Sequence, residues 1–236
     1  MFKSLFLLKD KIRNIYKIFE NIIHLRKIKP KYLFFSENKN YQKFSYLLIE
    51  ALAKKNPKEV YYVSSEIDDK IKILNVKNIF IGKGLLMNVF FLIAKAENMF
   101  LTVTDLNNHA VKKTRNIDNY VYYFHGAVST TKIYTATAFD NYDIILCNGD
   151  YHLNEIRKRE SIKKIKKKKL IKTGYFYFDY LKQRMNTQIV ANEVLIAPSW
   201  NYNQGNFINE NFEEIIQSVL DKGFNVRFRP HPEIFK

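Results

Sequence analysis

Two short stretches place an imidazole where a strand-like run stops. "NYVYYFHGAVST", residues 119–130, is mostly apolar up to Phe124 and then changes to His125, Gly126 and small polar residues. "NVRFRPHPE", residues 225–233, stops in the same way at His231, with Arg229 before it and a proline on each side. Imidazole titrates near neutrality, so it can take or return a proton under physiological conditions. Arg229 can grip a phosphate through two parallel hydrogen bonds, and a protonated His231 adds a further donor. Pro230 and Pro232 restrict the backbone on both sides of that histidine. After His125, the segment "GAVST" offers small residues and backbone N–H groups. A helix opening there would make an anion site, with Gly126, Ser129 and Thr130 in the cleft. His109, in "DLNNHA", is a further candidate for lining it. His24 and His152 fall inside helical patterns and read as ordinary helix residues.

Such placements matter because ligands of open α/β sheets bind at the carboxyl ends of the strands. From Lys31 onward the pattern alternates between strand and helix. "KYLFFSE", "EVYYVSSE", "KNIFIG", "NMFLTVTD", "NYVYYFHG", "YDIILCNG" and "KKLIKTG" read as strands. "YQKFSYLLIEALAKKN", "GLLMNVFFLIAKAE" and "DYHLNEIRKRE" read as helices between them. This alternation predicts a largely parallel sheet covered on both faces. His125 would stand at the carboxyl edge of that sheet. A boundary is expected near residues 186–192, followed by a strand, a helix and a strand ending at "RPHPE". If the carboxyl edges of two such sheets face one another, both histidines enter one cleft.

Residues 1–29 repeat apolar residues at helical spacing and carry Lys or Arg at eight positions against Asp10 and Glu20. A basic amphipathic helix of this kind suits either an anionic membrane interface or packing on the domain. The whole chain has 39 Lys and Arg against 23 Asp and Glu, a formal charge of +16, which implies an anionic partner. The run "KKIKKKK" at residues 163–169 is its densest part. No stretch reaches the roughly 20 apolar residues that span a bilayer. The single cysteine, Cys147, excludes an internal disulfide and sits in an apolar run. The absence of a disulfide framework and of a signal-peptide pattern points to the cytoplasm.

"FHGAVST", "TGYFYFDYL", "LIAPSW" and "RPHPE" occur in an order and spacing that resemble the CDP-glycerol:poly(glycerophosphate) glycerophosphotransferases, the polymerases and primases of teichoic acids and related capsules. The resemblance covers about residues 80–236. It implies a glycosyltransferase-B architecture: an N-terminal amphipathic helix (1–30), a Rossmann-like acceptor-side domain (31–188) and the start of a second Rossmann-like domain on the nucleotide-donor side (189–236). It implies that His125 is the general base and that Arg229 and His231 bind the donor pyrophosphate, with no metal and no cofactor. The implied partners are a CDP-alditol donor, a polyol-phosphate or lipid-linked acceptor and an anionic membrane surface on the inner face of the cell membrane, with no nucleic acid. The family's Asp- and Ser-rich donor stretch beyond "RPHP" is not in this chain, which is therefore expected to be inactive alone. Two other readings share these residues: a nucleotide-sugar glycosyltransferase of capsule synthesis, and a truncated, non-catalytic module that associates with membranes.

Overall fold

In "YLFFS" and "VYYVS" nearly every consecutive residue is buried, the mark of strands covered on both faces. The computed structural model describes residues 2–108, 111–185, 191–198 and 212–231, with side chains from residue 13 onward and Asn14 excepted. The chain divides into two units, Met1–Arg184 and Met185–Lys236. The first unit is built on seven strands: β1 (Tyr32–Ser36), β2 (Val60–Ser64), β3 (Val76–Phe80), β4 (Ala96–Leu101), β5 (Ile117–Tyr123), β6 (Ile144–Cys147) and β7 (Lys169–Lys172). They pair in parallel in the order β3-β2-β1-β4-β5-β6-β7. The order reverses between β1 and β4, which is where such sheets open a crevice for ligands. This is a Rossmann-like α/β fold, the class that the alternation of strands and helices predicts.

Alternate strand residues feed two cores. On one face Leu33, Phe35, Tyr61, Val63 and Tyr122 pack beneath α1 (Phe2–Lys27), α3 (Leu85–Ile93) and α4 (Asp150–Lys163). On the other, Phe34, Tyr62, Val121 and Tyr123 pack beneath α2 (Gln42–Lys55). Against α2 lies α5 (Phe176–Lys182), where Tyr46 meets Tyr180 edge-on at 5.6 Å. The sequence pattern did not show α5 as a helix. Its seven residues are too few for a period to stand out, and it is held by aromatic contacts with α2. Cys147 is buried, and burial pushes its thiol up to about 11, so it is a small apolar residue here.

The N-terminal helix belongs to the first unit. Its Ile18, Ile22 and Leu25 are buried in the same core as Phe90 and Phe91. Gly82 makes that docking feasible. Its φ is +74°, and a Cβ there would stand 2.9 Å from Ile18 Cδ1. Ile15, Tyr16, Phe19 and Ile23 remain exposed on α1. Among the described residues, no helix is long and apolar enough to cross a membrane.

In the second unit, β8 (Glu193–Ile196) and β9 (Asn225–Phe228) pair in parallel and are connected through α6 (Phe212–Asp221). Phe212 and Phe228 pack with ring centroids 4.5 Å apart. Leu195, Leu220 and Phe224 stay exposed.

A buried carboxylate ties the carboxyl edge of the large sheet together. Asp69 is 3% exposed. It accepts hydrogen bonds from Ser36 Oγ at the end of β1 and Ser64 Oγ at the end of β2, both at 2.7 Å. Tyr62 Oη at 2.8 Å and Gln42 Nε2 at 2.6 Å complete the set. An unpartnered buried donor costs about 1–3 kcal/mol. Asp69→Ala strands several at once, so urea unfolding should show a loss of roughly 3 kcal/mol or more. A loss below about 1 kcal/mol, the scale of one ordinary hydrogen bond, would show that this carboxylate does not organise the edge.

Candidate active site

The β5 ladder ends at Tyr123, which lies opposite Leu146. Two residues later His125 emerges at the carboxyl edge, half-buried. Two aromatic rings from the segment after β1 pack against it. Tyr41, just ahead of α2, stands edge-on to the imidazole at 5.4 Å, and Phe44, in the first turn of α2, does so at 6.0 Å. Phe44 in turn meets Tyr177 at 5.1 Å and Tyr175 at 6.4 Å. Those tyrosines come from the β7–α5 corner, where Gly174 adopts a φ of +77° that other residues rarely take. The ammonium of Lys43 sits 5.1 Å from the Phe44 ring and 5.2 Å from the Tyr177 ring, a cation–π arrangement.

This apolar enclosure sets the state of His125. Burial holds its pKa below the ordinary value of 6.5. Nδ1 is buried and has no hydrogen-bond partner among the described residues. Proton uptake would leave an Nδ1–H with no acceptor, so the imidazolium gains nothing to offset its desolvation. Burial therefore favours the neutral ring.

The loop after His125 is fixed from α4. His152 is fully buried and stacks on Phe124 with centroids 3.9 Å apart. Its Nδ1 accepts the Asn148 backbone N–H at 3.2 Å, which places the ring proton on Nε2, where it donates to the Val128 carbonyl at 2.8 Å. Asn148 Nδ2 donates to the Gly126 carbonyl at 3.1 Å. Glu155 accepts from Ser129 Oγ at 2.8 Å, and from both the backbone N–H and Oγ1 of Thr130 at 2.6 Å. Burial works to raise the Glu155 pKa, but these hydrogen bonds and the nearby His152 outweigh it and hold the carboxyl below its ordinary value. His125, Gly126, Ser129 and Thr130 thus share one loop. The hydroxyls of Ser129 and Thr130 are committed to Glu155 and shape that loop.

The expected helix opening after "GAVST" is corrected by the structure. Turns run from Thr130 to Asn141, and the backbone N–H of Thr130 already has a carboxylate partner, which rules out a helix-terminal anion site there. A cavity of about 370 Å³ lies between those turns and α4; Thr130 and Glu155 line it and His125 does not.

Arg229 directly follows β9 in the second unit, with its backbone N–H bonded to the Ile196 carbonyl at 2.9 Å and its side chain exposed. His231 is two residues further on and half-exposed. His109 lies outside the described residues. Sequence reasoning missed Glu37, which follows β1 at the crevice-forming reversal. Burial lifts its pKa above the ordinary value against a hydrogen bond with Thr102. The signal was present in "LFFSE", an acid closing a buried strand. The roles of His152 and Glu155 had no such signal, because each depends on a loop packed against its helix.

No protein-family model matches the chain, and no curated protein sequence matches it. Among solved structures, the chain is similar to the wall teichoic acid polymerase TagF, with a TM-score of 0.55 at 14% identity, covering 98% of this chain and 64% of that one. A histidine-to-asparagine variant of TagF soaked with CDPG gives 0.56 at 14% identity, covering 97% and 64%. The similarity establishes the fold, and the chain spans less than two thirds of the length of those polymerases.

The environment of His152 makes stability depend on pH. Burial lowers its pKa, against the opposing hydrogen bond to Val128 and the charge of Glu155. The unfolded chain therefore binds a proton before the folded one does. The stabilisation from a neutral His152 is present above about pH 6.5 and is lost as pH falls through that value toward the lowered folded pKa. Unfolding free energy measured from pH 7.5 down to 5 should fall, and His152→Gln should flatten the slope while lowering the plateau. Parallel slopes for the two proteins would contradict this account.

Proposed function

We propose that the protein is a glycerophosphotransferase-like member of the cell-surface polymer machinery, with the carboxyl edge of the first unit as its acceptor side. The observation that carries this reading is the neutral, half-open imidazole of His125 at the end of β5, close to the reversal of strand order. The TagF-like fold and the similarity to a CDPG-soaked form of that polymerase support the choice of donor. In this reading His125 removes the proton from an acceptor hydroxyl while that oxygen attacks the β-phosphorus of a CDP-alditol such as CDP-glycerol. The new P–O bond forms as the bond to the bridging pyrophosphate oxygen breaks, and CMP leaves with the electron pair. Arg229 and His231 stabilise the negative charge that builds on the leaving phosphate. The acceptor is a polyol-phosphate or lipid-linked chain. The exposed Ile15, Tyr16, Phe19 and Ile23 of α1, close to Arg13 and Lys17, would face an anionic membrane from the cytoplasm.

Calorimetric titration with CDPG and an assay of CMP release, in the presence of a glycerol-phosphate oligomer, test the reading together. CDPG should bind, and Arg229→Ala should weaken binding. Any acceptor-dependent CMP release should drop roughly 10²–10⁴-fold in His125→Ala, the span expected for a general base. Binding of nucleotide sugars in preference to CDPG would replace the donor assignment, and a drop below about tenfold would remove His125 as the base.

A further inference from the structure

The lysine run at residues 163–169 takes no part in the site described above. α4 ends at Lys163, Lys164 turns the chain with a φ of +51°, and β7 begins at Lys169. The run therefore lies at the amino edge of the sheet, opposite His125. A groove of about 590 Å³ opens there, lined by Lys113, Lys166, Lys167 and Lys169, with Asn98 and Asn119 at the starts of β4 and β5.

The charge balance within the groove is uneven. Its three acids are each paired: Asp118 with Lys29 at 2.7 Å, Asp140 with Arg159 at 2.6 Å and Asp143 with Lys113 at 3.2 Å. Lys168 turns inward, is 6% exposed, and stands 4.0 Å from Glu160. Lys166, Lys167 and Lys169 are exposed and have no acidic partner within ion-pair distance among the described residues. Lysines on an edge strand also discourage pairing with other chains, and β7 is such an edge. That accounts for Lys169, but Lys166 and Lys167 precede the strand and line the groove instead.

We propose that this groove binds a linear, phosphate-rich polyanion: a stretch of the acceptor polymer away from its reacting end. The proposal rests on the reading of the protein as a transferase acting on a phosphate polymer. A concave trough with three unpaired ammonium groups suits a thread of phosphodiesters, each lysine meeting one phosphate and releasing its counterions. A planar bilayer does not enter such a trough. The 14 residues of α4 separate the two edges by about 21 Å, so a polymer of several repeats can reach from the groove to His125. Holding the polymer at a second place raises the effective concentration of its end at the site.

The test uses linear inorganic polyphosphate as the probe and the full chain as the protein. The groove variant combines Lys166→Glu, Lys167→Glu and Lys169→Glu. A control combines Lys54→Glu, Lys55→Glu and Lys58→Glu, which changes net charge equally on the α2–β2 corner. Thermal melts verify that both are folded. The groove variant should lose about tenfold or more in polyphosphate affinity, with the salt slope reduced by about three, while the control changes little. Equal losses in the two variants would overturn the proposal in favour of unspecific charge attraction. Polyphosphate affinity unchanged in the groove variant, with pelleting on phosphatidylglycerol vesicles lost, would overturn it in favour of a membrane face. Binding of CDPG to the same proteins separates the two readings. Groove-dependent polyphosphate binding without any CDPG binding would leave the groove standing and remove the transferase reading.

Discussion

The carboxylate of Asp69 is the constraint from which the candidate site follows. A parallel sheet delivers its strands to one edge with backbone groups unpaired, and something polar must organise that edge. Here one buried carboxylate joins the ends of β1 and β2 to Gln42 at the start of α2. That bond sets where α2 begins, and so where Tyr41 and Phe44 present their rings. Those rings determine the environment of His125. An interaction between hydroxyls and a carboxylate two strands away thus reaches the imidazole through one helix.

The two edges of the sheet have opposite characters. At the carboxyl edge, aromatic rings dehydrate His125 and keep it neutral, while Glu37 is pushed toward its neutral form at the end of β1. Environments that drive two titratable groups away from their ordinary values mark candidate acid–base chemistry. At the amino edge the helices end, and the negative ends of their dipoles favour the lysines gathered there. α2 and α4 both close on lysine.

Much of this architecture was legible in the residues. Five largely buried apolar runs mark β1, β2, β4, β5 and β6, because a strand covered on both faces cannot be made from alternating polar residues, while the edge strands β3 and β7 are more exposed. His125 stood out because the apolar run stops abruptly at it. The state of its ring was not legible. That state depends on burial beside Tyr41 and Phe44, which are about eighty residues from His125 in the chain; Phe44 in turn packs on Tyr177 of α5, a helix too short to declare itself. The loop after His125 misled the reading for a similar reason. Small polar residues suit a helix start, but Glu155 on α4 had already claimed the Thr130 N–H and hydroxyl. The end of α3 is a smaller case: the helical pattern continues to Glu97, yet β4 takes the chain from Ala96 because pairing with β5 begins there.

The central claim is that burial beside Tyr41 and Phe44 keeps the His125 imidazole neutral. Nitrogen-15 and proton NMR titration of the imidazole, assigned by the signals missing in His125→Asn, reads it directly. The account predicts a pKa below 6.5 and an uncharged ring at neutral pH. A pKa at or above 6.5, with a protonated ring persisting toward neutrality, would contradict it.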